Sequence, residues 1–318
     1  MPIILTFLIV CVLLIVVAVS CCITTWFSCP EPSLDKQEQS KNLPSANRPR
    51  ADVVVSLTTL PHRVDTVLKS TLHSLRVQST LPRSVEINIP HTYKDGSRYD
   101  IPAWLQAEHT AGRVAIYRVD DVGPATKYIP TLRRYQRQPR QLILVVDDDM
   151  IVHPKRVEEF YAASQRLPDD VLAAYGLMID KGVINWLNCV LPFDDLKTAL
   201  VPGTRRTQEE PIDIITGFQN YLIQPRFFDL DVLSDYDSMP AEAFYVDDVV
   251  ISGHLARRGI VRRVPHEITG LNYLTTKHFG DHVKAILQNK RDNRNLTTGP
   301  NAGDHTNNIM IEFFKHDW

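Results

Sequence analysis

The stretch LILVVDDDMIVHP, residues 142–154, decides how the chain is interpreted. Its first five residues are apolar and include three β-branched side chains, which predicts a short buried strand of a parallel sheet rather than a helix. Three consecutive aspartates, Asp147, Asp148 and Asp149, follow the strand directly. Because ligands of parallel α/β sheets bind beyond the carboxyl ends of the strands, the position of these aspartates predicts a binding site.

The three carboxylates favour a divalent cation. Adjacent carboxylates repel one another and are costly to bury unless a cation or hydrogen-bond donors neutralise them. If the strand continues this far, alternation sends Asp147 and Asp149 to one side and Asp148 to the other. Two oxygen ligands on one side suit Mg²⁺ or Mn²⁺, which complete their shell with phosphate oxygens and water. The alternative is a solvated acidic turn or an aspartate cap on the next helix.

The segments before this stretch predict an α/β sheet. Residues 52–57 form another short apolar run, and residues 64–77 place their apolar side chains at helical intervals. Residues 85–89 and 113–119 alternate as strands do. The order strand, helix, strand implies right-handed crossovers and a parallel sheet with helices on its faces.

A second acidic pair, Asp247 and Asp248, lies in the stretch AFYVDDVVISGHLARRG at residues 243–259. The apolar spacing after the pair predicts a helix that Gly259 ends, so the pair lies at its amino terminus, where the helix dipole favours the ionised form. An ionised carboxylate next to a substrate can accept a proton from an attacking hydroxyl. The alternative is simple N-capping of the helix.

An apolar, strand-like segment at residues 214–223 is interrupted by Gly217. Glycine permits close approach of the backbone to a ligand, or it marks a β-bulge.

Composition limits the function classes. The 318 residues are 44% apolar and carry a formal net charge of −2, which indicates one large domain or two small ones and no global attraction to nucleic acid. Of five cysteines, only Cys189 lies outside the amino-terminal region, so neither a disulfide scaffold nor a zinc site is expected.

The amino terminus predicts a membrane anchor. Residues 2–27 are nearly all apolar and no charged side chain precedes Glu31, which is enough for a helix across a hydrocarbon core of about 30 Å. We expect a transmembrane signal-anchor at residues 1–28, a flexible stem at 29–50 and a catalytic domain at 51–318. A cleaved signal peptide is the alternative. The basic residues of the stem, taken alone, would place that side in the cytoplasm.

The acidic motifs and Gly217, taken in order, resemble the GT-A class of nucleotide-sugar glycosyltransferases, particularly the inverting family 2-like enzymes. The resemblance runs over residues 52–259, about two thirds of the chain. It rests on Asp147-x-Asp149 with Pro154 after an apolar strand, on Gly217 with a downstream arginine such as Arg226, and on an acidic pair that opens a helix. An Asp-x-Asp motif alone is common, so the specificity comes from the ordered set.

The resemblance implies a fold and a reaction. The fold is a Rossmann-like GT-A α/β domain, with a mostly parallel sheet and helices on both faces, here preceded by a single transmembrane helix. The reaction is a metal-dependent transfer of a sugar, with inversion, from a nucleotide-diphosphate donor to a hydroxyl acceptor. Asp149 would coordinate Mn²⁺ or Mg²⁺, and Asp147 would contact the ribose or share the metal. Asp248 would be the catalytic base, with Asp247 as the second choice.

Further site residues follow from the resemblance. The loop after the first strand would hold the nucleotide, which implies Ser56 and Thr58. In the segment before the next helix, Asp121 would accept from the base or ribose and Lys127 would neutralise phosphate charge, although a surface lysine explains Lys127 equally well. Gly217 would line the same site. A carboxyl-terminal histidine would complete the metal site, and we select His278, although spacing does not distinguish it from the other candidates, His266, His282 and His305.

We therefore expect a single-pass type II membrane enzyme with its catalytic domain in the lumen of the Golgi or ER, acting on a glycan, protein or lipid hydroxyl. The lumenal placement follows from the resemblance, and the glycosylation triplet at Asn295 agrees with it. Other readings stay open: a catalytically silent, membrane-tethered module that binds a glycan or metal, and a retaining enzyme or nucleotidyltransferase of the same fold. A metal-dependent phosphohydrolase would need more His and Asp ligands than the first motif supplies.

Overall fold

Parallel and antiparallel strands combine in one large sheet in the computed structural model, which describes residues 48–93, 96–179, 198–202, 209–269, 272 and 304–318. All of these belong to the unit Ala46–Trp318. The expected anchor at residues 1–28, and most of the expected stem, lie outside the described residues. Within the described ranges, no helix combines the length and the apolar character that crossing a membrane needs.

The described strands form an eight-stranded sheet of order β3-β2-β1-β4-β10-β5-β11-β8 and a three-stranded sheet of order β7-β6-β9. Their bounds are β1 Val53–Thr58, β2 Ser84–Pro90, β3 Ala115–Val119, β4 Leu142–Val145, β5 Val171–Ala173, β6 Tyr175–Ile179, β7 Thr198–Pro202, β8 Glu210–Pro211, β9 Ile214–Ile215, β10 Tyr221–Ile223 and β11 Arg262–Val264.

Seven α-helices are described: α1 Leu68–Arg76, α2 Ala103–Thr110, α3 Ile129–Arg134, α4 Arg156–Arg166, α5 Leu230–Leu233, α6 Asp247–Arg257 and α7 Asp304–Phe313.

The large sheet is mostly parallel. Strand β1 pairs in parallel with β2 and β4, and β2 pairs in parallel with β3. Strand β10 is antiparallel to both β4 and β5, so β4 and β5 run the same way, and β11 runs parallel to β5. Six of the eight strands therefore share one direction, and β8 and β10 oppose it. The chain order reverses between β1 and β4, which places a crevice at the carboxyl ends of these two strands.

Helices cover both faces of this sheet. Along β4, Leu144 points into a core with α1, α2 and α4, whereas Ile143 and Val145 point into a core with α3, α5 and α6. This alternation, with all three side chains fully buried, explains why the strand is apolar throughout. The mixed α/β architecture with a mostly parallel sheet fits the Rossmann-like GT-A fold that the resemblance implied.

Two sequence-based boundaries were wrong. The helix expected over residues 64–77 begins only at Leu68, since residues 61–67 form turns and Val67 offers no side-chain cap for an earlier start. The segment expected to be one interrupted strand, residues 214–223, divides into β9, a 3₁₀ turn at Gly217–Gln219 and β10, which belong to different sheets. Asn220, with φ of 77° and ψ of 152°, has a positive φ that is uncommon for a residue other than glycine, and it lies between the 3₁₀ turn and β10.

Candidate functional site

Lys127 joins the two acidic motifs. Its Nζ lies 2.9 Å from Oδ1 of Asp147, just beyond the carboxyl end of β4, and 2.9 Å from Oδ2 of Asp247, in the first turn of α6. The two carboxylates are one hundred residues apart in the sequence and share one cation. The motifs therefore open onto one site at the carboxyl end of the sheet.

Local structure holds Lys127 in the interior. A 3₁₀ turn at Ala125–Lys127 precedes α3, and the hydroxyl of Ser56 on β1 donates to the Lys127 carbonyl oxygen at 2.5 Å. The side chain is buried, so the surface-lysine interpretation is wrong. Burial lowers the pKa of Lys127, but the carboxylates of Asp147, Asp247 and Asp248 outweigh it and hold the pKa well above its ordinary value.

Asp248 faces the backbone of Gly217. The Gly217 N–H donates to both carboxylate oxygens of Asp248, each at 3.1 Å. Burial, and next the charge of Asp247, raise the pKa of Asp248 to about 7. A Cβ at position 217 would lie 2.6 Å from Lys127 Nζ, 3.2 Å from Asp147 Oδ1 and 3.3 Å from Asp248 Oδ1. An alanine at this position would therefore displace the Lys127 ammonium and crowd both carboxylates.

The acidic pair does not cap α6. The helix begins at Asp247 after Val246, and no side-chain capping bond is formed at its amino terminus, so the N-capping interpretation is wrong. Asp247 is buried, and burial raises its pKa although Lys127 acts in the opposite direction. Its carboxylate is held by Lys127, whereas Asp248 is held by a backbone amide.

The three consecutive aspartates do not alternate as expected. Arg63 Nη1 lies 2.9 Å from Asp148 Oδ1 and 3.1 Å from Asp149 Oδ2, so these two carboxylates share a cation while Asp147 pairs with Lys127. The physical reason is that β4 ends at Val145, two residues before the first aspartate, so strand geometry does not extend to them. Nor is the triplet a helix cap, since α4 begins only at Arg156.

The three aspartates of the triplet differ in how far their side chains are exposed. The exposed fraction of the side chain is 26% for Asp147 and 20% for Asp149 but 6% for Asp148. Asp148 accepts a hydrogen bond from the Thr59 hydroxyl at 2.6 Å through Oδ2, and its Oδ1 faces Arg63. The two accessible carboxylates are therefore the two that the sequence predicts as metal ligands.

The site carries excess negative charge. Burial raises the pKa of Asp149 to about 6, although the charge of Arg63 lowers it, and Asp148 and Asp147 raise it further. Accessible carboxylates with a charge excess are the donor set that Mg²⁺ or Mn²⁺ prefers. We call the seven charged residues that meet here the acidic cluster; it has five carboxylates and two cations, namely Asp147, Asp148, Asp149, Asp247, Asp248, Arg63 and Lys127.

The side chains expected to hold the nucleotide contact other groups of the protein. Lys127 and Gly217 belong to the site just described, and Lys127 is committed to carboxylates. The Ser56 hydroxyl is buried against Lys127 and Thr131, and the Thr58 hydroxyl donates to the Asn88 carbonyl oxygen at 2.7 Å. Asp121 accepts from the Gly123 N–H at 2.9 Å and so shapes the turn before Lys127. Their contacts with a nucleotide stay predictions.

The expected histidine ligand, His278, lies outside the described residues, and so does His282. His266 lies beside Glu209 and Glu267, with one ligand atom of each within 4.8 Å of the others, and the Arg166 guanidinium pairs with both glutamates. It is therefore not a partner of the acidic cluster.

Arg226, which the resemblance set downstream of Gly217, pairs with Asp169 at 2.6 Å. Its backbone N–H bonds the carbonyl oxygen of Pro139, which precedes β4, so it lies at the opposite edge of the sheet from the aspartates.

Sequence reasoning missed Arg63. It lies in a turn five residues after the end of β1, in a stretch with no apolar periodicity of its own, and its partners are 85 and 86 positions further along. No local signal separates it from a surface arginine.

Comparisons with known proteins add little to this geometry. No family model matches the sequence, and no curated protein does. Among solved structures, the chain is similar to S. aureus TarS residues 1–349, with 14% identity and a TM-score of 0.41 over 82% of this chain and 70% of that one. A second S. aureus TarS chain matches with 14% identity and a TM-score of 0.43, over 83% of this chain and 43% of its own length. The chain thus spans less than half of that second chain, and with TM-scores below 0.5 neither likeness carries an argument about this chain.

Proposed function

We propose that this chain is a divalent-metal-dependent glycosyltransferase that moves a sugar, with inversion, from a nucleotide-diphosphate donor to a hydroxyl of a glycan, protein or lipid. The observation that carries the proposal is the meeting of Asp147 and Asp247 on Lys127, with Asp248 against Gly217 beside them. A cation-binding group and a proton acceptor then face one space at the edge of the sheet where nucleotides bind in such folds.

Asp248 serves as the catalytic base in this proposal. Its pKa of about 7 suits a group that accepts a proton near neutral pH. The bond from the Gly217 N–H fixes the carboxylate in place. Asp247 is the weaker candidate, because it is more deeply buried and its charge is paired with Lys127 at 2.9 Å. A proton taken up by Asp247 would leave the buried ammonium with one partner fewer.

Asp147 and Asp149 would hold Mn²⁺ or Mg²⁺. They are the accessible members of the triplet, and the five carboxylates of the acidic cluster exceed its two cations. A bound divalent cation stabilises the charge of a departing diphosphate. Lys127 orients the carboxylate of Asp147 through their 2.9 Å ion pair, and a side chain at position 217 would crowd both Asp147 and Asp248.

The proposal includes the cell biology that the sequence predicts. The anchor at residues 1–28, the stem and a lumenal catalytic domain in the Golgi or ER are expectations that the described residues do not reach.

The test is turnover. Full-length protein in detergent, supplied with Mn²⁺ and each of a panel of radiolabelled nucleotide sugars, should hydrolyse or transfer at least one donor, and chelation with EDTA should stop the reaction. Asp149→Ala should be inactive, while Asp231→Ala, a change on the exposed surface of α5, should behave as the wild type. Nucleotide binding without turnover would support the silent module, and a chain that binds no nucleotide at all would refute the proposal.

A further inference from the structure

The shortest contact of Arg63 with each of its two carboxylates is made by the same nitrogen. Its Nη1 lies 2.9 Å from Asp148 and 3.1 Å from Asp149. Among the residues that the structure describes, none accepts a hydrogen bond from its Nε or Nη2, and the side chain is 22% exposed. The guanidinium is therefore held at Nη1, and the N–H groups of Nε and Nη2 remain able to donate to a ligand.

The anchor is firmly held. Asp148 takes the Thr59 hydroxyl on its other carboxylate oxygen at 2.6 Å, and its carbonyl oxygen accepts from the Thr71 hydroxyl on α1 at 2.7 Å. Asp148 thus ties together the ends of β1 and β4 and the start of α1. This assigns the buried middle aspartate of the triplet a structural task, to position Arg63.

The spare edge of the guanidinium fits a phosphate. Nε and Nη2 of arginine present parallel N–H groups that match two oxygens of a phosphate, and such charge-assisted pairs are among the strong hydrogen bonds of proteins. Arg63 lies after β1 and its partners lie after β4, so it stands at the crevice between the two strands where the chain order reverses. Its Nη1 also lies 3.1 Å from Oδ2 of Asp149, an expected metal ligand.

We propose that Arg63 binds the diphosphate of the donor: Nη1 stays on Asp148, Nε and Nη2 take phosphate oxygens, and the contact with Asp149 gives way when a divalent cation binds there. The inference rests on the proposed function and adds a binding residue to it. Without cation and donor, Arg63 neutralises Asp149, so it competes with the metal; with them, it becomes part of the phosphate site.

The experiment measures binding rather than turnover. Isothermal titration of full-length protein with Mn²⁺ alone, and then with UDP, GDP, ADP and the corresponding nucleosides in saturating Mn²⁺, is compared for the wild type, Arg63→Gln and Arg63→Lys. The control is Arg113→Gln, because Arg113 pairs with Glu108 just before the amino end of β3, at the opposite edge of the sheet.

Arg63→Gln should weaken binding of the preferred nucleoside diphosphate at least tenfold, leave binding of its nucleoside unchanged and strengthen binding of Mn²⁺ alone. Arg63→Lys keeps the charge without the fork, so its loss should be smaller, and it carries the test if the glutamine variant does not fold. Diphosphate affinity that is unchanged in both variants, or that falls in parallel with nucleoside affinity, overturns the inference. A wild type that binds no nucleoside diphosphate refutes the proposed function itself, which distinguishes the two failures.

Discussion

Gly217→Ala tests the site with a single methyl group. The φ of Gly217 lies outside the left-handed region that disfavours alanine, so the new Cβ acts through its contacts rather than through backbone strain. The nearest contact is Lys127 Nζ at 2.6 Å, and the next are the carboxylates of Asp147 and Asp248 at 3.2 and 3.3 Å. Because the ammonium is held from two sides by carboxylates, it cannot move away without loss.

The magnitude follows from the ion pairs. To restore an ordinary contact, the ammonium must retreat by about 1 Å, which lengthens each of its two 2.9 Å pairs to about 3.8 Å. At an effective dielectric constant of about 20, each pair loses about 1.4 kcal/mol, which gives a ceiling of about 3 kcal/mol for both. Partial exposure of Asp147 reduces this, so we expect the free energy of unfolding to fall by about 1–3 kcal/mol.

Two measurements on Gly217→Ala are compared, its stability and its donor turnover. Urea unfolding measures the loss of stability, and donor turnover measured under folding conditions should fall far more than the folded fraction does, because Lys127 no longer orients Asp147. Gly259→Ala is the matched control: nothing lies within 4 Å of its Cβ, but its φ of +66° costs alanine about 1–2 kcal/mol at the end of α6. If the two variants lose equal stability and both retain turnover, the placement of Gly217 in the reactive site is refuted.

Three further predictions concern the charges. Lys127→Met leaves the buried carboxylate of Asp247 and the partly exposed one of Asp147 without their cation, so the free energy of unfolding should fall by about 3–5 kcal/mol at pH 8. The loss should shrink as the pH falls, because burial raises the pKa of Asp247. Lys69→Met on the exposed face of α1 should cost little, and equal losses for the two variants would argue against the ion pairs of Lys127. Asp149→Ala should abolish Mn²⁺ binding in a titration that Asp231→Ala leaves intact, and an unchanged affinity would remove Asp149 from the metal site. The pKa of Asp248 is about 7 in the folded chain and 3.8 in the unfolded one, so the folded state binds more protons between these pH values, and this group's contribution to stability falls as the pH rises from about 4 to 7. Turnover should fall below pH 7, because the base is then protonated. A flat pH profile of turnover would contradict the assignment of Asp248 as the base.

Local patterns predicted four of the eight strands of the large sheet. Strands β1 and β4 begin and end within a residue of the positions expected from their apolar runs, because strands buried on both faces leave an uninterrupted apolar signature. Strands β2 and β3 follow from the alternation of residues 85–89 and 113–119. The helix that Asp247 opens also follows from its spacing, and Gly259 past its end has the positive φ that a helix-terminating glycine adopts.

What the sequence did not predict are contacts between distant segments. Asp147 and Asp247 share Lys127 because the turn at Ala125–Lys127 places this lysine between them. No local sequence pattern predicts that placement. Arg63 was missed for the same reason. The prediction that Asp147 and Asp149 point to one side and Asp148 to the other was wrong, because it assumed that strand geometry continues past Val145.

The most direct measurement compares donor affinity with the transfer rate in Asp248→Asn, a change that keeps the size of the side chain and an oxygen that can accept from the Gly217 N–H. If Asp248 is the base in a site whose cation is held by Asp147 and Asp149, transfer falls by about 10²–10⁴-fold while donor affinity in Mn²⁺ stays near that of the wild type. Transfer at the wild-type rate, or donor affinity that collapses together with transfer in a folded variant, would contradict the account.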